Sequence, residues 1–169
     1  YLSTMMIPIT VRLIPSYNLC RNLNMLDTYM GMILPQVAWS IPFGTFLMRQ
    51  FYMGIPKQLD EAAKIDGANH FQIFWKILLP NTKSSMTTLG IYTFISAWNN
   101  LIWMLLSVRS ESKWTVTLGI SSICGASVIK QPTWNLIMGV IVIGMIPVLI
   151  LFFAFQKYFM QSVAATGIK

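Results

Sequence analysis

Three stretches of this chain, near 30–48, 84–107 and 134–156, are long, apolar and almost without charge, and nothing else constrains its fold as strongly. A helix needs about 20 apolar residues to cross the hydrocarbon of a bilayer, so each stretch is a candidate span. Hydrophobic residues make up 55% of the chain and charged residues only 10%, far from the balance of an ordinary soluble domain. The first apolar run, Tyr1 to Ile9, is too short to span and opens on Tyr; it is expected to be the end of a helix whose beginning is missing. The fold class that follows is all-α: a polytopic transmembrane helical bundle with three full spans plus a partial one.

The spans carry residues that would damage a soluble helix. Pro35, Pro42 and Gly44 lie in the first, Trp98-Asn99-Asn100 in the second, and Gly139, Gly144 and Pro147 in the third. Within a bundle, neighbours can satisfy the carbonyls that proline frees, and small residues let helices approach closely, so kinks are expected in the first span.

The formal charge of +7 does not point to nucleic acid, because the 12 basic residues are spread singly between apolar runs with no basic stripe. They suit lipid headgroups better. Arg49, Lys57, Lys64, Lys76, Lys83, Lys157 and Lys169 fall on one side of the expected membrane, and Arg12, Arg21, Arg109, Lys113 and Lys130 on the other. Seven against five favours a cytoplasmic 49–83 segment.

That segment has its own physics. Pro56 suits a first helical position, and Asp60 with Lys64, like Lys57 with Glu61, can pair four residues apart, so a helix is expected from about 56 to 66. Gly67 gives backbone freedom at a break. Phe71, Phe74, Trp75, Leu78 and Leu79 then share one helical face before Pro80 interrupts it, while Ala62, Ala63 and Ala68 offer a small, flat surface for a partner's groove.

Glu61-Ala62-Ala63, Asp66-Gly67-Ala68, Ile77 and Leu79-Pro80 resemble, in order and spacing, the EAA loop of ABC-importer permeases. The likeness extends to Leu34-Pro35, Pro42-Phe43 and Leu47-Met48-Arg49-Gln50-Phe51 upstream. Downstream it takes in Phe94, Trp98-Asn99-Asn100, Thr117-Leu118-Gly119, Trp134 and Gln156-Lys157-Tyr158-Phe159. On this resemblance residues 1–169 are the C-terminal two thirds of a permease domain, of the G type found in carbohydrate uptake systems for maltose, other oligosaccharides or glycerol phosphate. Residues 56–80 are its EAA coupling loop. The resemblance implies a bacterial inner-membrane location, a second permease subunit, two ATPase subunits and an extracytoplasmic solute-binding protein. Glu61, Ala62, Ala63, Asp66, Gly67, Ala68, Leu79 and Pro80 would couple to the ATPase. No cofactor is expected on this chain, since ATP and Mg belong to the ATPase and no phosphate-binding G-x-x-x-x-G-K-[ST] loop is present. The loop near Ser121 to Ser127 would, by the same resemblance, touch the binding protein.

The chain departs from the family pattern at Trp98-Asn99-Asn100-Leu101-Ile102-Trp103-Met104, where relatives often carry a proline, so a kink there is not expected. The solute path is expected among the polar groups of the spans: Gln36, Ser40, Thr45, Ser96, Asn99 and Asn100, with Trp98 and Trp103 able to stack on a sugar. The same groups can instead join helices by hydrogen bonds. His70 is expected to be a solvated loop residue, the methionines to fill gaps in packed and lipid-facing surfaces, and Cys20 and Cys124 to remain unpaired. No metal site and no enzyme chemistry are expected, for want of a carboxylate pair, a nucleophile with its base or a metal cluster. The alternative is a self-contained secondary transporter or channel, which would place an ionisable residue within a span; none is expected here.

Overall fold

The computed structural model describes residues 2–130 and 134–166, with side-chain surroundings for 3–125 and 134–156. Its elements are helical throughout that range. A single turn, α1 (Leu2–Met5), is followed after Pro8 by α2 (Ile9–Asn22), and α3 (Tyr29–Met53) is the first unbroken membrane-length helix. Then come α4 (Lys57–Ile65), α5 (His70–Ile73), a π-helical turn (Phe74–Leu78) and the short α6 (Leu79–Asn81). Helices α7 (Lys83–Trp98) and α8 (Leu101–Ser107) are together long and apolar enough for one span, and they bend by 53° at the break between them. A 3-10 turn (Glu111–Lys113) leads to α9 (Val116–Lys130), and α10 (Trp134–Thr166) completes the bundle, apolar over Trp134–Gln156.

Pro8, with no N–H to donate, separates the Leu2–Met5 turn from α2, so Ile9 belongs to the following helix. One expectation about an element is corrected. The segment around Ser121 to Ser127 is not a loop, because Val116 to Lys130 is helical. Leu118 is buried in the core and Ile120 lies against α10.

Helix α10 packs on α7 and α9, α3 on α7 and α8, and α2 on α8. The main core sits at the end of the bundle away from 56–80, where Cys20, Met32, Trp103, Met104, Val108 and Leu118 meet. Trp103 is completely buried, edge-on to Trp39 with ring centroids 5.2 Å apart. Pro35 cannot supply the N–H that would bond the Gly31 carbonyl four residues back, and the Trp103 indole N–H donates to that carbonyl at 3.0 Å instead. Helix α3 therefore runs through its prolines as one element.

The bend between α7 and α8 forms without the family's proline, contrary to the sequence expectation. Asn99 ends α7, and the Asn100 side chain caps α8 by accepting from the Trp103 N–H at 3.3 Å. The terminal Trp98 carbonyl of α7 accepts from the Thr117 hydroxyl on α9. A short polar pair thus does what proline would, because its side chain and a neighbouring helix take up the orphaned backbone groups.

The turn from α2 to α3 is pinned to the segment after α8. Asn24 and Asp27 take left-handed backbone (φ 53° and 56°), which Asn and Asp tolerate best among non-glycines. The Asp27 carboxylate accepts the N–H groups of Arg109 and Ser110, each at 3.0 Å, and the Ser110 hydroxyl. Lys113 donates to the Asp27 carbonyl and lies 3.5 Å from its carboxylate. These contacts hold the Asp27 carboxyl well below the usual carboxylate range, the Ser110 hydroxyl bond contributing most.

Candidate functional site

Two features carry functional geometry, at different levels of the bundle. The first is the 56–80 segment. Helix α4 begins after Pro56, and Lys64 pairs with Asp60 at 2.6 Å, as the spacing predicts; Lys57 and Glu61 form no such pair. At its end the Ala68 N–H bonds the Ala63 carbonyl at 2.9 Å and the Gly67 N–H bonds that of Lys64 at 3.0 Å, a Schellman motif around Gly67 at φ +79°. Glycine is required there by its dihedral and not by crowding, since a Cβ would meet no atom within 4 Å. Asn69 and Gln72 then form a reciprocal capping box, at 2.8 and 2.9 Å, which starts α5 in a new direction. Pro80 does not simply end the helix. The backbone passes through a π turn just before it, a usual way to absorb a missing donor, and the Asn81 side chain bonds the Ile77 carbonyl at 2.7 Å.

Glu61, Ala62, Asp66, Gly67 and Pro80 are exposed, Ala68 and Leu79 half-buried, and Ala63 buried. The three alanines therefore do not make one flat surface: Ala63 turns inward beneath the Schellman turn. The aromatic face is likewise divided. Phe71, Phe74 and Trp75 are exposed and Leu78 and Leu79 half-buried, while Ile73 is buried. Ile65, 87% exposed at the end of α4, escaped the sequence reading; an apolar side chain four residues beyond Glu61 was its only signal. His70 is exposed at the start of α5.

The second feature is a cavity of about 650 Å³ between α2, α3, α7 and α8, within the roughly 300–1,000 Å³ usual for small-molecule sites. Gln36 and Ser40 of α3 and Ser96, Asn99 and Asn100 at the α7–α8 break all line it, which brings together five of the residues expected on the solute path. Thr45 and Trp98 do not line it. Trp98 stacks on Phe94 (centroids 5.6 Å apart) and donates to the Gly144 carbonyl at 3.2 Å, and Trp103 is consumed in the core. The aromatic side chains on the cavity are Trp39, Phe43 and Tyr92, the last two in contact at 4.4 Å. A second hollow continues along α7 from Asn99, Ser96 and Tyr92 to Thr88, roughly 16 Å at 1.5 Å per residue, toward the 56–80 end. Arg12 also lines the cavity, a charged residue outside the expected solute path. Helix α2 drew no notice in the sequence because it is short and carries two arginines, and it is not among the helices long and apolar enough to cross a membrane.

The fold and both features agree with comparisons to known proteins. Residues 2–165 match the family of binding-protein-dependent transport system inner membrane components. The sn-glycerol-3-phosphate transport system permease protein UgpE of Yersinia enterocolitica is 39% identical over 160 residues, 94% of this chain and 56% of that protein. The arabinooligosaccharides transport system permease protein AraQ of Bacillus subtilis is 32% identical over 165 residues, 98% of this chain and 57% of that protein. A crystal structure of a bacterial ABC transporter that imports the acidic polysaccharide alginate superimposes with a TM-score of 0.69 at 29% identity, covering 86% of this chain and 55% of the matched chain. The chain thus spans a little over half the length of these relatives. It belongs to the family of binding-protein-dependent inner membrane transport components.

Proposed function

We propose that this chain is the greater part of a G-type permease subunit in an ATP-driven importer of carbohydrates or their phosphates, working beside a second permease, two ATPase subunits and a solute-binding protein in the bacterial cytoplasmic membrane. The observation that carries this reading is the exposed α4–Gly67–α5 element at one end of the bundle. A rigid, capped helix pair with Glu61, Ala62, Ile65 and Phe71 uncovered is shaped to be gripped and moved by a partner. It is joined directly to α3 and, through the π turn and α6, to α7. Those two helices carry most of the cavity's polar lining, so a displacement of the element reaches the cavity through continuous helix. Hydrolysis of ATP would occur on the ATPase, with Mg there, and this chain would act as conduit and transducer.

The test is purification of the full-length permease from its own membrane, followed by reconstitution. A stoichiometric ATPase should co-purify, and ATP should drive uptake of a carbohydrate or glycerol phosphate only when the binding protein is present. Uptake by the permease alone, driven by an ion gradient, would instead support a secondary transporter.

A further inference from the structure

We propose that the cavity binds an anionic group of its solute, a phosphate or a carboxylate, through the guanidinium of Arg12. This rests on the importer reading and narrows it to acidic solutes. Among the described residues Arg12 is the only charged one on the cavity lining, which it shares with the polar residues Gln36, Ser40, Asn99 and Asn100. Its Nε is buried with no hydrogen-bond partner, alone in that condition among the described residues. A buried guanidinium donor without an acceptor is costly.

The chain holds no such partner. All five acidic residues are accounted for: Asp60, Glu61 and Asp66 lie in the 56–80 element, Glu111 in the 3-10 turn, and Asp27 is taken by Arg109, Ser110 and Lys113. The two ion pairs among the described residues are Asp60–Lys64 and Asp27–Lys113, and neither involves Arg12. No carboxylate of these residues serves Arg12, so an anionic acceptor for it would come from outside them. The cavity supplies a setting for it: a planar donor fork suited to two oxygens of a phosphate or carboxylate, amides and hydroxyls for sugar hydroxyls, and Trp39, Phe43 and Tyr92 for the apolar faces of a ring.

The experiment uses the complete purified transporter without its binding protein and follows tryptophan fluorescence while two matched series are titrated: glucose, glucuronate and glucose 6-phosphate, and glycerol, glycerate and glycerol 3-phosphate. At least one anion should bind at least tenfold more tightly than its neutral parent, and which anion does so separates phosphate from carboxylate recognition. Arg12→Gln should remove that preference, a loss of about ten- to a hundredfold for the anion with the neutral parent unaffected. Arg12→Lys should keep part of it. Equal binding of neutral and anionic members, or an anion preference that survives Arg12→Gln, would overturn the proposal and leave the importer reading standing. So would loss of the co-purified ATPase in both variants, which would make Arg12 the partner of another subunit's carboxylate. Failure of the importer reading shows separately, as absence of ATP-driven, binding-protein-dependent uptake by the unaltered complex.

Discussion

Asp27 shows how much one side chain can organise when its partners come from far along the chain. Its contacts with residues 107–113 fasten the α2–α3 turn to the segment after α8, and those made by its carboxylate, with Arg109, Ser110 and Lys113, are stronger when it is ionised. Because the folded state lowers this carboxyl from its ordinary 3.8, the contribution is fully present above about that pH and is lost as pH falls further toward the folded value. Thermal melts of the purified complex should therefore show Asp27→Asn less stable than the parent at pH 7, with the gap narrowing once pH drops below the ordinary carboxylate range. A gap independent of pH down to 3 would contradict the assignment. Gly31 makes a second prediction. A Cβ there would stand 2.0 Å from the Met25 carbonyl oxygen, backbone that cannot swing aside, while the Gly31 carbonyl is already bound by Trp103. Gly31→Ala should lower stability by about 1–3 kcal/mol or more, as for an overpacked core, whereas Gly90→Ala, with nothing within 4 Å, should leave the melting temperature within a degree or two. Neither residue drew attention in the sequence. Asp27 lies 82 and 83 positions from the amides it holds, and no local spacing reports such a pairing.

At the level of elements, the sequence was most legible where the physics is local. Hydrocarbon demands length and apolarity from a span, which made α3 and α10 plain, and the Asp60–Lys64 pair and the break at Gly67 follow from helix spacing and glycine's freedom. It was least legible where tertiary contacts override local pattern. Helix α2 is too short and too interrupted by arginine to stand out, and α9 looks like a loop because Gly, Ser and Thr dilute its apolar residues. The bend at Asn99–Asn100 needs Thr117 from another helix. The cavity's polar liners were readable as amides and hydroxyls within spans, but the choice of Trp39 over Trp98 could not be made without knowing which face each helix turns inward. The 56–80 element yields a prediction of its own. Gly67→Val should keep the bundle folded, because no atom opposes the new side chain, yet strain its φ of +79° by about 1–2 kcal/mol and re-aim α5 relative to α4. Together with Glu61→Lys, which reverses an exposed charge, it should lower ATPase co-purification or uncouple hydrolysis from uptake. Normal uptake by both variants would show that this element does not transmit force.

For the molecule as a whole, the decisive matter is which end faces which side of the membrane, since the 56–80 element and the core lie at opposite ends of the same helices. The basic residues favour a cytoplasmic 49–83 segment only by seven to five, and five of the minority side, Arg12 included, are not all loop residues. Arg12 lines a cavity within the bundle and so should not be counted as a headgroup anchor, which leaves seven against four and strengthens the same orientation. The structure also sharpens the choice of reporter sites. Gln72 is engaged in the capping box with Asn69, so a cysteine there would disturb the element it reports on; Gln58, exposed on α4, is the better probe, and Ser112 is exposed in the 3-10 turn at the other end. Cys20 is buried and Cys124 half-buried, so both should first be changed to serine or alanine to remove background. In sealed whole cells a membrane-impermeant maleimide should then modify Ser112→Cys and spare Gln58→Cys until the membrane is opened. The reverse pattern would place the α4–α5 element outside, where no ATPase could reach it, and would overturn the coupling role along with the orientation.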